Sequence, residues 1–128
     1  MSKPRVLIVE DQADLRKLIA LTLGSQGYDI AEAVDGPGAL EACERHRPAV
    51  ILLDLMLPGG LDGIEICRRI RANPDLAHTR VVLLTAADQA IQRERAEQVG
   101  VDRYLPKPFS PRVLRELVDS LLAADEPD

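Results

Sequence analysis

Three short, uninterrupted apolar runs constrain this chain more than any other feature: Arg5–Val9 (RVLIV), Ala49–Leu53 (AVILL) and Val81–Leu84 (VVLL). Each is rich in β-branched residues and none alternates with polar ones, the pattern of strands covered on both faces by helices. Weaker strands are expected at Asp29–Val34 and Arg103–Leu105. Between these runs the apolar residues recur at helical spacing. Leu15, Leu18, Ile19 and Thr22 share one face, and Ile64, Cys67 and Ile70 share another, with Cys43 beside Leu40 also on a buried helix face. Gly24 and Gly27 punctuate the end of the first helix, Asn73-Pro74 the third and Gly100 the fourth. Ser110-Pro111 carries the N-cap and first-turn proline that open a last helix. The reading is βαβαβαβαβα, which implies right-handed crossovers and a parallel sheet with helices on both faces. Ala123–Asp128 is expected to be a frayed tail.

Composition limits what such a sheet could be for. At 128 residues the chain fits one domain, expected over residues 1–128 with a core from about 5 to 122. Aromatic residues are only 2%, which argues against stacking platforms for single-stranded nucleic acid. A net charge of −5 has the wrong sign for following a phosphate backbone. No apolar run reaches the roughly 18 residues needed to span a bilayer, and the N-terminus does not read as a signal peptide. Cys43 and Cys67 lack a CxxC partner, and with the distant His46 and His78 they do not make a zinc site. Two reduced core thiols in a cytoplasmic protein are expected.

The polar residues that matter follow the apolar runs. Glu10-Asp11 ends the first strand, Asp54 the third and Thr85 the fourth, and Lys107-Pro108 follows the fifth. Open parallel sheets bind ligands beyond the carboxyl ends of their strands, so four strands deliver side chains to one small rim. Three clustered carboxylates repel one another unless a counter-charge is present. A hard divalent cation such as Mg²⁺ answers that need with oxygen ligands alone. Lys107 adds a fixed positive charge and Thr85 a hydroxyl donor, a kit suited to an anionic phosphoryl group set against Asp54 as nucleophile. Each member has a plainer reading. Strand-end acids usually face water, Asp54 could cap the next loop, and Thr85 could be an N-cap. Lys107 could be a solvated charge. His46 and His78 read as exposed helix-end or loop residues, Tyr104 as a half-buried ring and Phe109 as core.

The motifs Val6–Asp11 (VLIVED), Leu53–Pro58 (LDLMLP), Asp62-Gly63, Leu84–Ala86 (LTA) and Tyr104–Phe109 (YLPKPF), in this order, resemble the receiver domain of two-component response regulators. The resemblance runs from about Arg5 to Leu122. It implies a flavodoxin-like α/β fold, a doubly wound five-stranded parallel sheet of order 2-1-3-4-5 with five helices. It implies that Asp54 is phosphorylated by a histidine kinase or histidine phosphotransfer protein. It also implies Mg²⁺ (Mn²⁺ as an alternative) held by Asp11, Asp54 and the Met56 backbone carbonyl, with Glu10 acting through a bound water. Thr85 and Lys107 would contact phosphoryl oxygens, as would the N–H groups of Met56 and Ala86, and the Lys107–Pro108 bond would be cis. Thr85 and Tyr104 would form a switch, relayed to a protein-binding surface over Gln89–Val99, Arg103–Leu105 and Pro111–Leu122. Met56 and Ala87 would tune hydrolysis of the acyl phosphate.

The loop Gly59-Gly60-Leu61 is one residue longer than the family's usual spacing, an insertion that two glycines can absorb. The expected role is a signalling switch acting through protein contacts, as a monomer or a phosphorylation-dependent dimer, without nucleic-acid or membrane binding of its own and without an output domain. It is not expected to turn over an external substrate. A dehalogenase-like phosphohydrolase would need a second acid where Met56 stands, and a flavin module would meet repulsion from Glu10, Asp11 and Asp14. A receiver-like scaffold that is never phosphorylated is the remaining alternative.

Overall fold

The structure is a computed structural model and describes residues 3–86 and 93–124. Five strands, β1 (Arg5–Val9), β2 (Asp29–Ala33), β3 (Val50–Asp54), β4 (Arg80–Ala86) and β5 (Arg103–Lys107), form one parallel sheet in the order β2-β1-β3-β4-β5. Helices α1 (Ala13–Gly24), α2 (Gly36–His46), α3 (Gly63–Ala72), α4 (Arg93–Gln98) and α5 (Pro111–Ala124) alternate with them, and a 3₁₀ turn, Pro74–Leu76, follows α3.

The uninterrupted runs in β1, β3 and β4 have the physical cause expected of them. Ile19 and Leu23 of α1 and Leu114, Val118 and Leu121 of α5 pack on one face of the sheet, against Val6, Ile8, Val50, Leu52, Val82 and Leu84. On the other face α2, α3 and α4 supply Ala39, Cys43, Ile64, Ile66, Cys67, Ile70 and Ala96 against Leu7, Val9, Ile51, Leu53, Val81 and Leu83. Successive strand residues therefore enter opposite cores, and both must be apolar. Cys43 and Cys67 are free and buried, as their helical spacing indicated. Burial pushes the Cys43 thiol up to about 12 and Cys67 to about 11.

Local chemistry sets the ends. The Asp62 carboxylate accepts from the Glu65 N–H at 2.9 Å, and the Ser110 hydroxyl accepts from the Val113 N–H at 3.1 Å, so both cap their helices. Gly59 and Gly60 both take φ of 88°, a region that a side chain would strain.

Several expectations are corrected. Of the expected α1 face, Ile19 and Thr22 are buried and Leu15 packs against the core, but Leu18 is 46% exposed and Leu23 is buried in its place. Strand β2 stops at Ala33, one residue short of Val34. β4 extends through Ala86, and β5 through Lys107, because backbone pairing continues past the apolar run, Thr85 opposite Pro106 and Ala86 opposite Lys107. Phe109 is half-buried at the edge of a core, and His46 is half-buried too, its Nδ1 lying 2.7 Å from Arg5 Nη1. Ala123 and Ala124, read as the start of a frayed tail, are the last residues of α5; residues 125–128 lie outside the described residues, as do Ala87 and the Gln89–Gln92 part of the expected fourth helix. Among the described residues no helix is long and apolar enough to cross a membrane.

Candidate functional site

The acidic rim grows directly out of one core face. Val6 and Ile8 of β1 point into the core beneath α1 and α5, and the next residue in that alternation is Glu10. Val50 and Leu52 of β3 point the same way, and Asp54 is next. On β5, Lys107 follows Leu105 in the same alternation. Thus two apolar layers end in a third layer that carries charge. Lys107 stands two residues beyond the level of Asp54, opposite the small Ala86, and its long side chain reaches back to the acids.

Glu10, Asp11 and Asp54 place one carboxylate oxygen each within 4.8 Å of one another. Glu10 is 0% exposed and Asp54 5%, whereas Asp11 is open to solvent. Lys107 Nζ lies between the two buried acids, donating to Glu10 Oε1 at 2.9 Å and to Asp54 Oδ2 at 2.8 Å. The remaining oxygens are held by main chain: Gln12 N–H donates to Glu10 Oε2 at 3.1 Å and Met56 N–H to Asp54 Oδ1 at 3.0 Å. The Lys107–Pro108 peptide is cis, as expected.

Electrostatics follow from this packing. Burial, reinforced by the neighbouring Asp54, pushes the Glu10 carboxyl above its ordinary value; the bonds from Gln12 and Lys107 only partly offset that. Burial alone would lower the Lys107 ammonium, but its bonds to Asp54 and Glu10 outweigh burial and raise it. Among the described residues, the two buried carboxylates share a single ammonium. The donor set is all oxygen, partly desolvated and short of positive charge, which fits a hard divalent cation such as Mg²⁺.

Gly63 fixes how closely α3 approaches the acid-bearing strand. Its N–H donates to Leu55 O at 2.9 Å, and a Cβ there would sit 2.6 Å from the Asp54 carbonyl oxygen. Thr85 and Tyr104 are both half-buried. Tyr104 pairs with Leu83 and packs in the core beneath α2, α3 and α4; Thr85, two residues past Leu83, belongs to the same face.

The structure thus brings Glu10, Asp11, Asp54 and Lys107 together and sets Thr85 and Tyr104 on one face of the sheet. Sequence reasoning did not anticipate the complete burial of Glu10, the Gln12 N–H that holds it, or the Arg16 guanidinium that binds its carbonyl at 2.8 Å. No spacing rule marks such contacts, since they depend on how α1 leaves the sheet.

Residues 6–119 match the model of the response regulator receiver domain. Among curated proteins the chain is 38% identical to the response regulator MprA of Mycobacterium leprae, over 97% of this chain and 53% of that protein. It spans about half the length of the curated relatives it matches. The solved structure of the chemotaxis response regulator CheY4 of Vibrio cholerae superposes with a TM-score of 0.87 at 28% identity, covering 94% of this chain and 99% of that one. The receiver domain of sensor histidine kinase PA1611 from Pseudomonas aeruginosa, solved with a magnesium ion coordinated in its active-site cleft, gives a TM-score of 0.85 at 33% identity, covering 95% and 99%. Phosphorylation on aspartate is standard for this family. With its sheet order, its acidic pocket and a family match covering nearly its whole length, the chain belongs to the response regulator receiver domains of two-component signalling.

Proposed function

We propose that Asp54 is the phospho-acceptor, taking a phosphoryl group from the phosphohistidine of a histidine kinase or phosphotransfer protein. The observation that carries this is the seating of Asp54 between an acidic cation pocket and Lys107, whose ammonium stands 2.8 Å from Oδ2. A carboxylate oxygen of Asp54 bonds to phosphorus as the donor P–N bond breaks, and the bonding pair returns to the imidazole nitrogen. Glu10, Asp11 and Asp54, with the Met56 carbonyl, would hold Mg²⁺, or Mn²⁺ in its place; when bound, the ion neutralises charge on the phosphoryl oxygens. Lys107 exchanges part of its bonding from Asp54 Oδ2 to a phosphoryl oxygen, and the Met56 and Ala86 N–H groups and the Thr85 hydroxyl donate to others.

Residues 5–122 act as one receiver domain in the cytoplasm. Thr85 and Tyr104 form the switch, Thr85 moving toward the new phosphoryl oxygens and Tyr104 filling the space it leaves. Their shared sheet face supports that pairing. The surface of α4, β5 and α5 carries the signal to a protein target. The domain assists its own phosphorylation and hydrolysis and turns over no external substrate.

Intact-mass spectrometry after incubation with acetyl phosphate tests the assignment. A single phosphoryl adduct is expected that needs Mg²⁺ and disappears in Asp54→Asn. An adduct of equal yield in Asp54→Asn overturns it.

A further inference from the structure

Arg16, in the first turn of α1, bonds the main chain of the acidic pocket rather than its carboxylates. Its Nη1 donates to the Glu10 carbonyl oxygen at 2.8 Å, and its Nε to Glu32 Oε1 on β2 at 3.1 Å. Four-fifths of its side chain is covered, with 20% exposed. The bond to Glu10 has a geometric consequence. That carbonyl belongs to the peptide joining Glu10 to Asp11, and a peptide is planar. Holding the oxygen therefore sets the plane from which the Asp11 Cα departs, and with it the direction in which Asp11 leaves the strand. The rest of Glu10 is held by separate partners: its N–H by Ala33 O at 3.1 Å, Oε2 by Gln12 and Oε1 by Lys107. Arg16 thus grips the link between the two acids, and Glu32 braces it from the neighbouring strand.

We propose that Arg16 is a positioning residue for divalent-cation binding, locking the Glu10–Asp11 peptide so that both acids face the ion together with Asp54. The proposal rests on the reading that these three acids hold the cation. Its sign is what makes it testable. As a bare charge Arg16 repels a cation, so its removal would tighten binding. As a positioning group it aligns the ligands, so its removal weakens binding, by about tenfold if it acts like other groups that orient metal ligands.

The test is an amide NMR titration of the full chain with MgCl₂ at constant ionic strength, comparing wild type, Arg16→Met, Arg16→Lys and Asp11→Asn. Thermal unfolding confirms that each variant is folded. The expected result is weaker Mg²⁺ binding in both Arg16 variants, with Arg16→Lys less affected because one amine reaches only one of the two partners. Lysine keeps the charge and is the milder change, so it carries the test if the methionine variant unfolds. Unchanged affinity in Arg16→Lys with tighter binding in Arg16→Met makes Arg16 a charge only and overturns the proposal. A lower melting temperature with wild-type affinity in both makes it purely structural, which overturns it equally. Wild type and Asp11→Asn binding Mg²⁺ alike, or neither binding, removes the cation reading itself and the proposal with it.

Discussion

Replacing Lys107 by methionine keeps an unbranched side chain out to the ε position and removes the ammonium bonded to Glu10 and Asp54. At 2.8–2.9 Å, and with an effective dielectric of about 20, each ion pair is worth about 6 kcal/mol before desolvation is counted. Loss of one partner from a buried pair costs about 3–5 kcal/mol, because the other charge is left uncompensated. Lys107 is 24% exposed, so water still reaches the site and the low end applies. The expected loss at pH 8 without metal is about 3 kcal/mol, or a melting temperature lower by about 12 °C. The loss depends on pH. Glu10 has its folded pKa raised above 4.5 by burial, so its contribution to stability is fully present below 4.5 and is lost as pH rises through the folded value. Losing the Lys107 ammonium raises that folded value further. At pH 5 Glu10 in the variant is more protonated and needs less counter-charge, and the gap to wild type narrows. Mg²⁺ should stabilise Lys107→Met more than wild type, since the ion no longer competes with the ammonium. Urea and thermal unfolding at pH 5 and pH 8, with and without MgCl₂, measure all of this. Equal losses at the two pH values, or a larger Mg²⁺ shift in wild type, would refute the reasoning.

Gly63→Ala should cost about 2–3 kcal/mol in urea unfolding, because the added methyl meets the Asp54 carbonyl oxygen at 2.6 Å and the Leu55 Cα at 3.0 Å, and backbone atoms cannot step aside; a loss under about 0.5 kcal/mol would show that α3 is free to shift. The two buried thiols make the fold sensitive to alkali. Cys43 and Cys67 titrate at about 9 unfolded but at about 12 and about 11 folded, so their stabilisation is complete below 9 and is lost as pH rises toward the folded values. The slope is about 1.4 kcal/mol per pH unit for each thiol. Unfolding midpoints from pH 8 to 11 should fall more steeply in wild type than in Cys43→Ala/Cys67→Ala, which subtracts the lysine and tyrosine titrations; parallel slopes would remove the thiols from the account.

Much of this molecule was written locally. The runs Arg5–Val9 and Ala49–Leu53 announce strands because a strand covered on both faces must be apolar at every position, and caps such as Ser110 act within three residues of themselves. Glu10, Asp11, Asp54 and Lys107 could be named because charge at the end of a buried strand stands out against it. Other features had no local sign. The chain does not say that α1 turns Leu18 outward, because helix phase is fixed by docking against the sheet. It does not show that β5 continues through Pro106 and Lys107, because that depends on the partner backbone of β4. Above all, it gives no hint that Glu10 is sealed from water while Asp11, the next residue, stays open. The bonds that seal Glu10 and charge the site join residues 97 and 53 apart in sequence. Composition and periodicity supplied the groups; only the closing of the sheet brought Lys107 across to the acids, because a pairing between distant residues has no energy until the fold puts them in reach.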